Sequence, residues 1–543
     1  MRNLITTLLL ALLCGSIRAQ ETLRYNLSKY ATAQGSYGDL PLTVAPEDVV
    51  RHVMRRYPSL VARCTVTDSL AGSSPNLLAA EYLNIKTTGP YLHYNGNHTV
   101  IARLKAIGEM PVKGMGTLYG RIVYDREKQS NTYQNYAIYP EDYAPYLVYD
   151  TISVGNFKHE RYLVEVGVSI PWGATHYGIS GFYEGIASAQ ETQPRRSVYT
   201  SWFKLGLSIS HRLPEWLLAA KVSPEINRQA IGVSSALQTY KFLQSYGFGL
   251  YNKRESTSGY TYRRQAKILG IGTEVMIQRP ADDNKGWNLL FHLSHNYRWM
   301  QAEEVSYKNL YVSRTQHLTH TLTVSKGLEG GKQLYFLLQG TERFRSGIEN
   351  IYENRLMDAS QNLYDYVMIG KNKLYKNKQY TESFTVKTLW NMHQKHAVGM
   401  SAGIEIDGSE ETYVLPQLML NHLSAIPSIS MSYQHHAKKD IIDLNLWFKI
   451  RRLLHDTYPQ TLTNTITVQA QTAIPHLIRT ENNWCLGASL IYAHQLSVGK
   501  SIGCKFNFSY LRRTDTSRSV PVIYSAGAER YVTRFHTSLF YLF

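Results

Sequence analysis

Apolar and polar residues alternate with a period of two in several stretches of the chain. Between Arg161 and Ile170, Tyr162, Val164, Val166, Val168 and Ile170 are apolar, and Arg161, Glu165 and Ser169 fall between them. From Val198 to Ser210, Tyr199, Phe203, Leu205, Leu207 and Ile209 oppose Thr200, Trp202, Lys204, Ser208 and Ser210. Ile441–Arg451 sets Ile442, Leu444, Leu446, Phe448 and Ile450 against Asp443, Asn445, Trp447, Lys449 and Arg451. Gly503–Tyr510 sets Cys504, Phe506, Phe508 and Tyr510 against Lys505, Asn507 and Ser509. Successive side chains of a strand point to opposite faces, so each stretch predicts a strand with one apolar and one polar face. A soluble sheet would carry the same pattern.

The two ends of the chain favour a membrane. Arg2 followed by the apolar run Leu4–Leu13 reads as a secretory signal, with Ala19 as the last residue before cleavage. Leu13 stands where lipid attachment at Cys14 would require a small residue. No later stretch approaches the ~20 uninterrupted apolar residues of a membrane helix. The C-terminus, "HTSLFYLF", alternates Phe535, Leu539, Tyr541 and Phe543 and ends on an aromatic, as the closing strand of a bacterial outer-membrane barrel does. Ser538, Tyr541 and Phe543 are the expected barrel-assembly signal, with Ser538 in the place where Gly is usual. Tyr outnumbers Phe 41 to 15, which suits rings that sit with one end in lipid and one in water. The negative mean hydropathy, −0.29, fits a barrel in which only alternate residues meet lipid.

The expected fold is an all-β transmembrane barrel of antiparallel strands, even in number and roughly 14–18. Its parts are a signal peptide (1–19), an N-terminal periplasmic or plug segment (20–77) and the barrel (78–543). Within 20–77, "APEDVVRHVMRRYP" predicts a short helix, with Pro46, Glu47 and Asp48 at its start and Arg55 and Arg56 at its end. Short turns on the periplasmic side should alternate with longer outer loops. The outward strand around Thr117–Tyr124 then leads into a long outer connection, about Asp125 to Lys158, and "PWGA" (Pro171–Ala174) is a tight turn before the next strand.

That outer connection holds Tyr133, Tyr136, Tyr139, Tyr143, Tyr146 and Tyr149, spaced 3, 3, 4, 3 and 3. The spacing would make a helical stripe, but Pro140 and Pro145 interrupt it. The segment therefore reads as a loop whose tyrosines either pack into a small core over the barrel mouth or offer a ligand platform. "PEDYAPYLVYD", "HERYLVEVGVSIPWG" and "YGISGFYEGIASAQETQPR" resemble a family of Bacteroidetes outer-membrane β-barrel proteins classed as a domain of unknown function. The matching positions are Pro140, Tyr143, Pro145, Tyr146, Asp150, Glu160, Tyr162, Pro194 and Arg195, with "GW" at Gly286–Trp287. Gln193 departs from the family's Asp. The resemblance implies the barrel and an outer-membrane location, and no activity, ligand or catalytic residue.

The chain has no HExxH, GxSxG or Walker loop, so no catalytic residue is expected. The pairs His292/His295 and His317/His320 stand three apart and face opposite sides of a strand, which argues against a metal at either. No cofactor is expected. Cys485 belongs to the lumen face and Cys504 to the lipid face, so no bridge joins them. The net charge of +17 falls to +15 once Arg2 and Arg18 leave with the signal. For an exported chain this points to lipopolysaccharide or to a cationic lumen, not to nucleic acid. Arg161, Glu165, Lys204, Asp443, Lys449, Arg451 and Lys505 are the candidate lumen residues. The expected function is non-enzymatic: passage or surface binding of a small solute, beside an energised transporter or alone. One alternative is a surface adhesion or scaffold protein that works through its outer loops; a barrel-embedded hydrolase is a third, and it would need Ser, His and acid residues clustered at the rim. Expected partners are the outer membrane and its lipopolysaccharide, the barrel-assembly machinery, and an unidentified solute or surface partner.

Overall fold

A computed structural model describes residues 76–543, apart from residues within inter-strand connections, chiefly 515–528. Eighteen strands form one sheet. The first strand (Leu77–Thr88) pairs antiparallel with the last (Tyr531–Leu542), from Leu77 opposite Leu542 to Thr88 opposite Tyr531, and this closes the barrel. Closure leaves no unpaired strand edge, the condition for crossing a bilayer with strands. No helix among the described residues is long and apolar enough to cross one.

The alternation sorts inside from outside. Tyr162, Val164, Val166 and Ile170 are exposed on the exterior, while Arg161, Glu165 and Ser169 are buried within. Leu446 and Phe448 face out beside the inward Arg451, and Phe506 and Phe508 face out beside the inward Lys505. At the C-terminus Leu539 and Phe543 face out, Ser538 is buried inside, and Tyr541 stacks on Phe543 at 5.4 Å. Cys485 is buried, Cys504 lies in the outward alternation beside Phe506, and both are free thiols. An apolar exterior on a closed antiparallel sheet makes this a transmembrane β-barrel.

The connections differ sharply between the two ends. At one end they are short, as at 113–115, 173–174, 329–331 and 498–499. At the other they include 134–153, 235–260, 458–482 and 514–530. The tyrosine-bearing connection is shorter than the sequence suggests, because its flanking strands run on to Tyr133 and restart at Val154. The extension Asp125–Tyr133 is polar on both faces, which erases the period-two signal there. Its register with the first hairpin nevertheless continues through Arg103 opposite Asp125 to His98 opposite Ser130. The signal sequence, the helix expected at 46–57 and nearly all of the 20–77 segment lie outside the described residues.

Candidate functional site

The described parts of 134–153, 235–260 and 458–482 do not stand above the barrel. They fold into it. Tyr136, Tyr139, Tyr143, Tyr146 and Tyr149 are all buried, in one cluster with wall residues such as Ile186, Ile231, Ile268 and Met300. Tyr133 closes the preceding strand and is set edge-on to His93 at 5.7 Å. The segment does contain one helical turn, α1 (Pro140–Tyr143), contrary to a reading of it as wholly non-helical. Pro140 sits in its first turn, where the missing N–H costs nothing, and Tyr139 enters it with a left-handed φ of 54°. After α1 the chain forms the strand Val148–Asp150, which pairs with Tyr240–Gly247; the hairpin to Leu250–Ser256 completes a three-stranded sheet separate from the wall.

Wall side chains satisfy the loop's carbonyls. Arg196 Nη1 donates to Asn135 O at 3.0 Å, Gln229 Nε2 to Ile138 O at 2.9 Å and Arg264 Nη2 to Tyr146 O at 2.7 Å. Tyr146 stacks on the wall's Tyr311, ring centroids 4.6 Å apart and 17° from parallel. Tyr136 donates its hydroxyl to Asp150 within the loop.

Two carboxylates of α1 bind arginines of the far wall and of another connection. Glu141 Oε2 lies 2.8 Å from Arg343 Nη2, and its Oε1 lies 3.7 Å from Arg479 Nη2; Arg345 donates to its carbonyl. Burial alone would raise the Glu141 pKa, but Arg343, Arg479 and Arg345 hold it down to about 2. Asp142 Oδ1 lies 3.5 Å from Arg298 Nη1. Arg298 in turn meets Glu225 at 2.6 Å, and Glu225 meets Lys204 at 3.3 Å and Trp202 Nε1 at 3.1 Å.

Arg479 belongs to α3 (Ile474–Thr480), which follows α2 (Ile466–Val468) and a π-helical turn in the connection 458–482. Ile474, Leu477 and Ile478 pack on Leu92 and Tyr94 of the first connection. Arg530 reaches across to Glu481 and donates to Pro90 O at 2.8 Å, so the connections interlock. Burial drives the pKa of His93 down to about 4. His476 is also lowered to about 4, by burial first and then by His422.

Every lumen residue expected from sequence points inward, but they do not form one site. Arg161 bridges Asp125 at 2.8 Å and Glu184 at 2.6 Å, and Arg103 bridges Asp125 at 2.6 Å and Glu81 at 3.4 Å. Glu81, Arg103, Asp125 and Arg161 stand opposite one another on four neighbouring strands, a row of alternating sign. Glu165 pairs with Arg121 at 2.8 Å. Lys204 joins the chain that ends on the loop. Arg451 meets Asp407 at 3.1 Å and donates to Arg479 O, at the end of α3. Asp443 accepts from Gln434 at 2.9 Å, Lys449 lies 5.9 Å from the Trp447 ring, and Lys505 is buried. Sequence reading missed Glu141, Asp142, Arg298, Arg343, Arg345 and Arg479; the acid pair straight after Pro140 was the one available sign of a docking turn. Among the described residues no group of His, Cys, Asp and Glu could hold a metal.

The fold defines the class: a transmembrane β-barrel whose long connections pack into the lumen at one end. The chain belongs to DUF6850, a family of unknown function, whose model matches residues 80–543. No curated protein matches it. Solved structures similar to it include the siderophore receptor PiuA from Acinetobacter baumannii, at 6% identity and a TM-score of 0.38, with 86% of this chain and 82% of that one covered. A doubly substituted form of the ferric enterobactin receptor PfeA from Pseudomonas aeruginosa gives 9%, 0.36, 87% and 81%. The ferric-catecholate import receptor Fiu from E. coli gives 7%, 0.33, 85% and 81%. At such values the likeness carries no argument about function.

Proposed function

We propose that this protein is a non-enzymatic outer-membrane barrel that binds and passes a small solute, with the 134–153 connection as its gate. The observation that carries the reading is the docking of Glu141 and Asp142 on four arginines inside the lumen. A plug held by charge-assisted hydrogen bonds, each worth about 1.5–3 kcal/mol, is firm enough to close a pore and weak enough to release. A carboxylate or phosphate on the solute would compete with Glu141 for Arg343 and Arg479, so the reading favours anionic solutes. The long connections then face the cell exterior and its lipopolysaccharide, and the chain needs the barrel-assembly machinery to insert. The absence of catalytic motifs supports a non-enzymatic role, and an energised transporter beside it would supply any uphill step.

The test is single-channel recording in planar bilayers. Wild type should be mostly closed, and Glu141→Gln with Asp142→Asn should raise the open fraction at least tenfold with preference for anions. A wild type and a double variant that neither conduct nor bind any tested solute would refute the proposal. The adhesion or scaffold reading draws support from one feature: beyond Glu349 and Tyr375 the strands Lys332–Asp358 and Leu363–Met392 pair only with each other, as an exposed ribbon above their neighbours. Deleting 350–371 should abolish surface binding on that reading and leave conductance intact.

A further inference from the structure

The lumen has two unlike halves. On the wall that carries Glu81, Arg103, Asp125 and Arg161 the inward side chains are buried and their charges are paired with one another. Across the lumen, the strands Trp287–Glu303, Asn309–Leu328, Lys332–Asp358 and Leu363–Met392 include Arg298, Arg343 and Arg345, which meet α1. Toward the short turns this second wall loses its charge.

Register sets Ser294, Thr319, Thr341 and Thr381 side by side on the four strands, in the same-face row next below Arg343. Thr321, Gln339 and Ser383 form the row after it, with His292 at the edge, 3.6 Å from Glu274. Each row lies about 7 Å from the last, two residues along a strand. None of these positions holds Asp, Glu, Lys or Arg. Alternation puts them on the face that Arg343 and Arg345 present to Glu141.

Unlike the buried opposite wall, the hydroxyls of both rows are half-exposed, and Gln339 is exposed. Their hydrogen bonds within the wall are long. Thr381 Oγ1 donates to Asp407 Oδ1 at 3.4 Å, and Ser383 Oγ donates to Gln339 O at 3.4 Å. Bonds of that length are weak and can be exchanged for those of a solute. Asp407, at the end of the first row, meets Arg451 at 3.1 Å, so its charge is balanced.

A hydroxyl both donates and accepts, and an amide does so through separate atoms. A surface of such groups replaces the water around a solute that is itself hydroxylated. An alkyl chain laid on it would strip water from the hydroxyls and return no bond. Sites that hydrogen-bond a solute's hydroxyls therefore discriminate strongly against the analogue that lacks them. The arginines one row above supply a place for one anionic group.

We infer, building on the anion-displaced gate proposed above, that the solute is a polyhydroxylated acid. Its carboxylate takes the place of Glu141 on Arg343 and Arg479, and its hydroxyls lie along Thr319, Thr321, Thr341 and Thr381.

The test is isothermal titration calorimetry on the full-length chain carrying Glu141→Gln and Asp142→Asn, reconstituted in lipid nanodiscs. Gluconate is compared with hexanoate, which has the same carbon chain and carboxylate without the hydroxyls, and with sorbitol, which has hydroxyls and no charge. Gluconate should bind at least tenfold more tightly than either. Thr319→Val with Thr321→Val should cut the preference for gluconate over hexanoate at least fivefold, while the barrel keeps its heat-modifiable mobility in gels. Arg343→Gln should weaken both acids together. Equal affinity for gluconate and hexanoate overturns the inference and leaves the gate standing. So does sorbitol bound as tightly as gluconate, or a preference that the valines leave unchanged. Binding of neither acid overturns the anion-displaced gate and this inference together.

Discussion

Two tyrosine-rich segments at the loop-bearing end of the barrel behave oppositely. The connection 134–153 folds inward and Tyr146 is 0% exposed, whereas the ribbon 350–371 stands free and Leu356 is 48% exposed. Residue type does not separate them, since both are rich in Tyr and aliphatics. Spacing and partners do. The stretch before Val148, broken by Pro140 and Pro145, does not pair as a strand, so several of its carbonyls take side-chain donors; Arg196, Gln229 and Arg264 supply them. Tyr364 and Tyr366 are two apart with no proline, and their backbone is satisfied by the opposite strand. Only the first segment also carries carboxylates matched to lumen arginines.

The largest effect is expected at Tyr146. Tyr146→Ala removes a buried ring stacked on Tyr311 and should weaken docking of 134–150 by about 3–5 kcal/mol. Hydrogen exchange of that peptide would rise while exchange in the ribbon stays unchanged. Glu141→Gln removes the charge facing Arg343 and Arg479 and should cost about 1.5–3 kcal/mol, read by the same exchange measurement.

Acid should act on the inward segments alone. His93 and His476 are held neutral, with folded pKa values near 4 against ~6.5 unfolded, so the unfolded form binds more protons between those values. Their contribution is intact above pH 6.5 and lost as pH falls toward 4, about 2 kcal/mol per histidine at pH 5. Glu141, held at about 2, keeps its contribution until the pH falls below the ordinary carboxylate range. Protection of 89–97 and 466–480, corrected for intrinsic rates, should therefore drop between pH 7 and pH 5. Smallest of all, Met368→Ser on the ribbon should change barrel stability by no more than about 0.5 kcal/mol in urea unfolding, because Met368 lies on an exposed part of the chain.

The strands were legible in sequence wherever one face met lipid, as at Arg161–Ile170 and Ile441–Arg451. They were not legible at Asp125–Tyr133, where the strand has left the apolar belt and both faces are polar. The lumen orientation of Arg161, Lys204 and Arg451 followed from alternation, but their partners depend on register, which one strand read alone does not contain. The inward fold of the tyrosine segment left a trace that alternation alone passes over. Ile186, Val198, Ile231 and Ile268 are apolar at lumen positions, making both faces apolar just where the loop docks. Their meaning emerges only when the barrel brings them around one point.

A loop held in the lumen by Glu141 and Asp142 should be shielded from the cell exterior. Labelling of intact cells with a membrane-impermeant maleimide measures this, in a chain whose native cysteines are replaced by serine. Arg355→Cys, at an exposed position, should label rapidly. Ala137→Cys, a small change in the same buried cluster, should label at least a hundredfold more slowly, and should approach the Arg355→Cys rate once Glu141→Gln and Asp142→Asn are added. Equal labelling at the two positions in the otherwise unaltered chain would contradict the account.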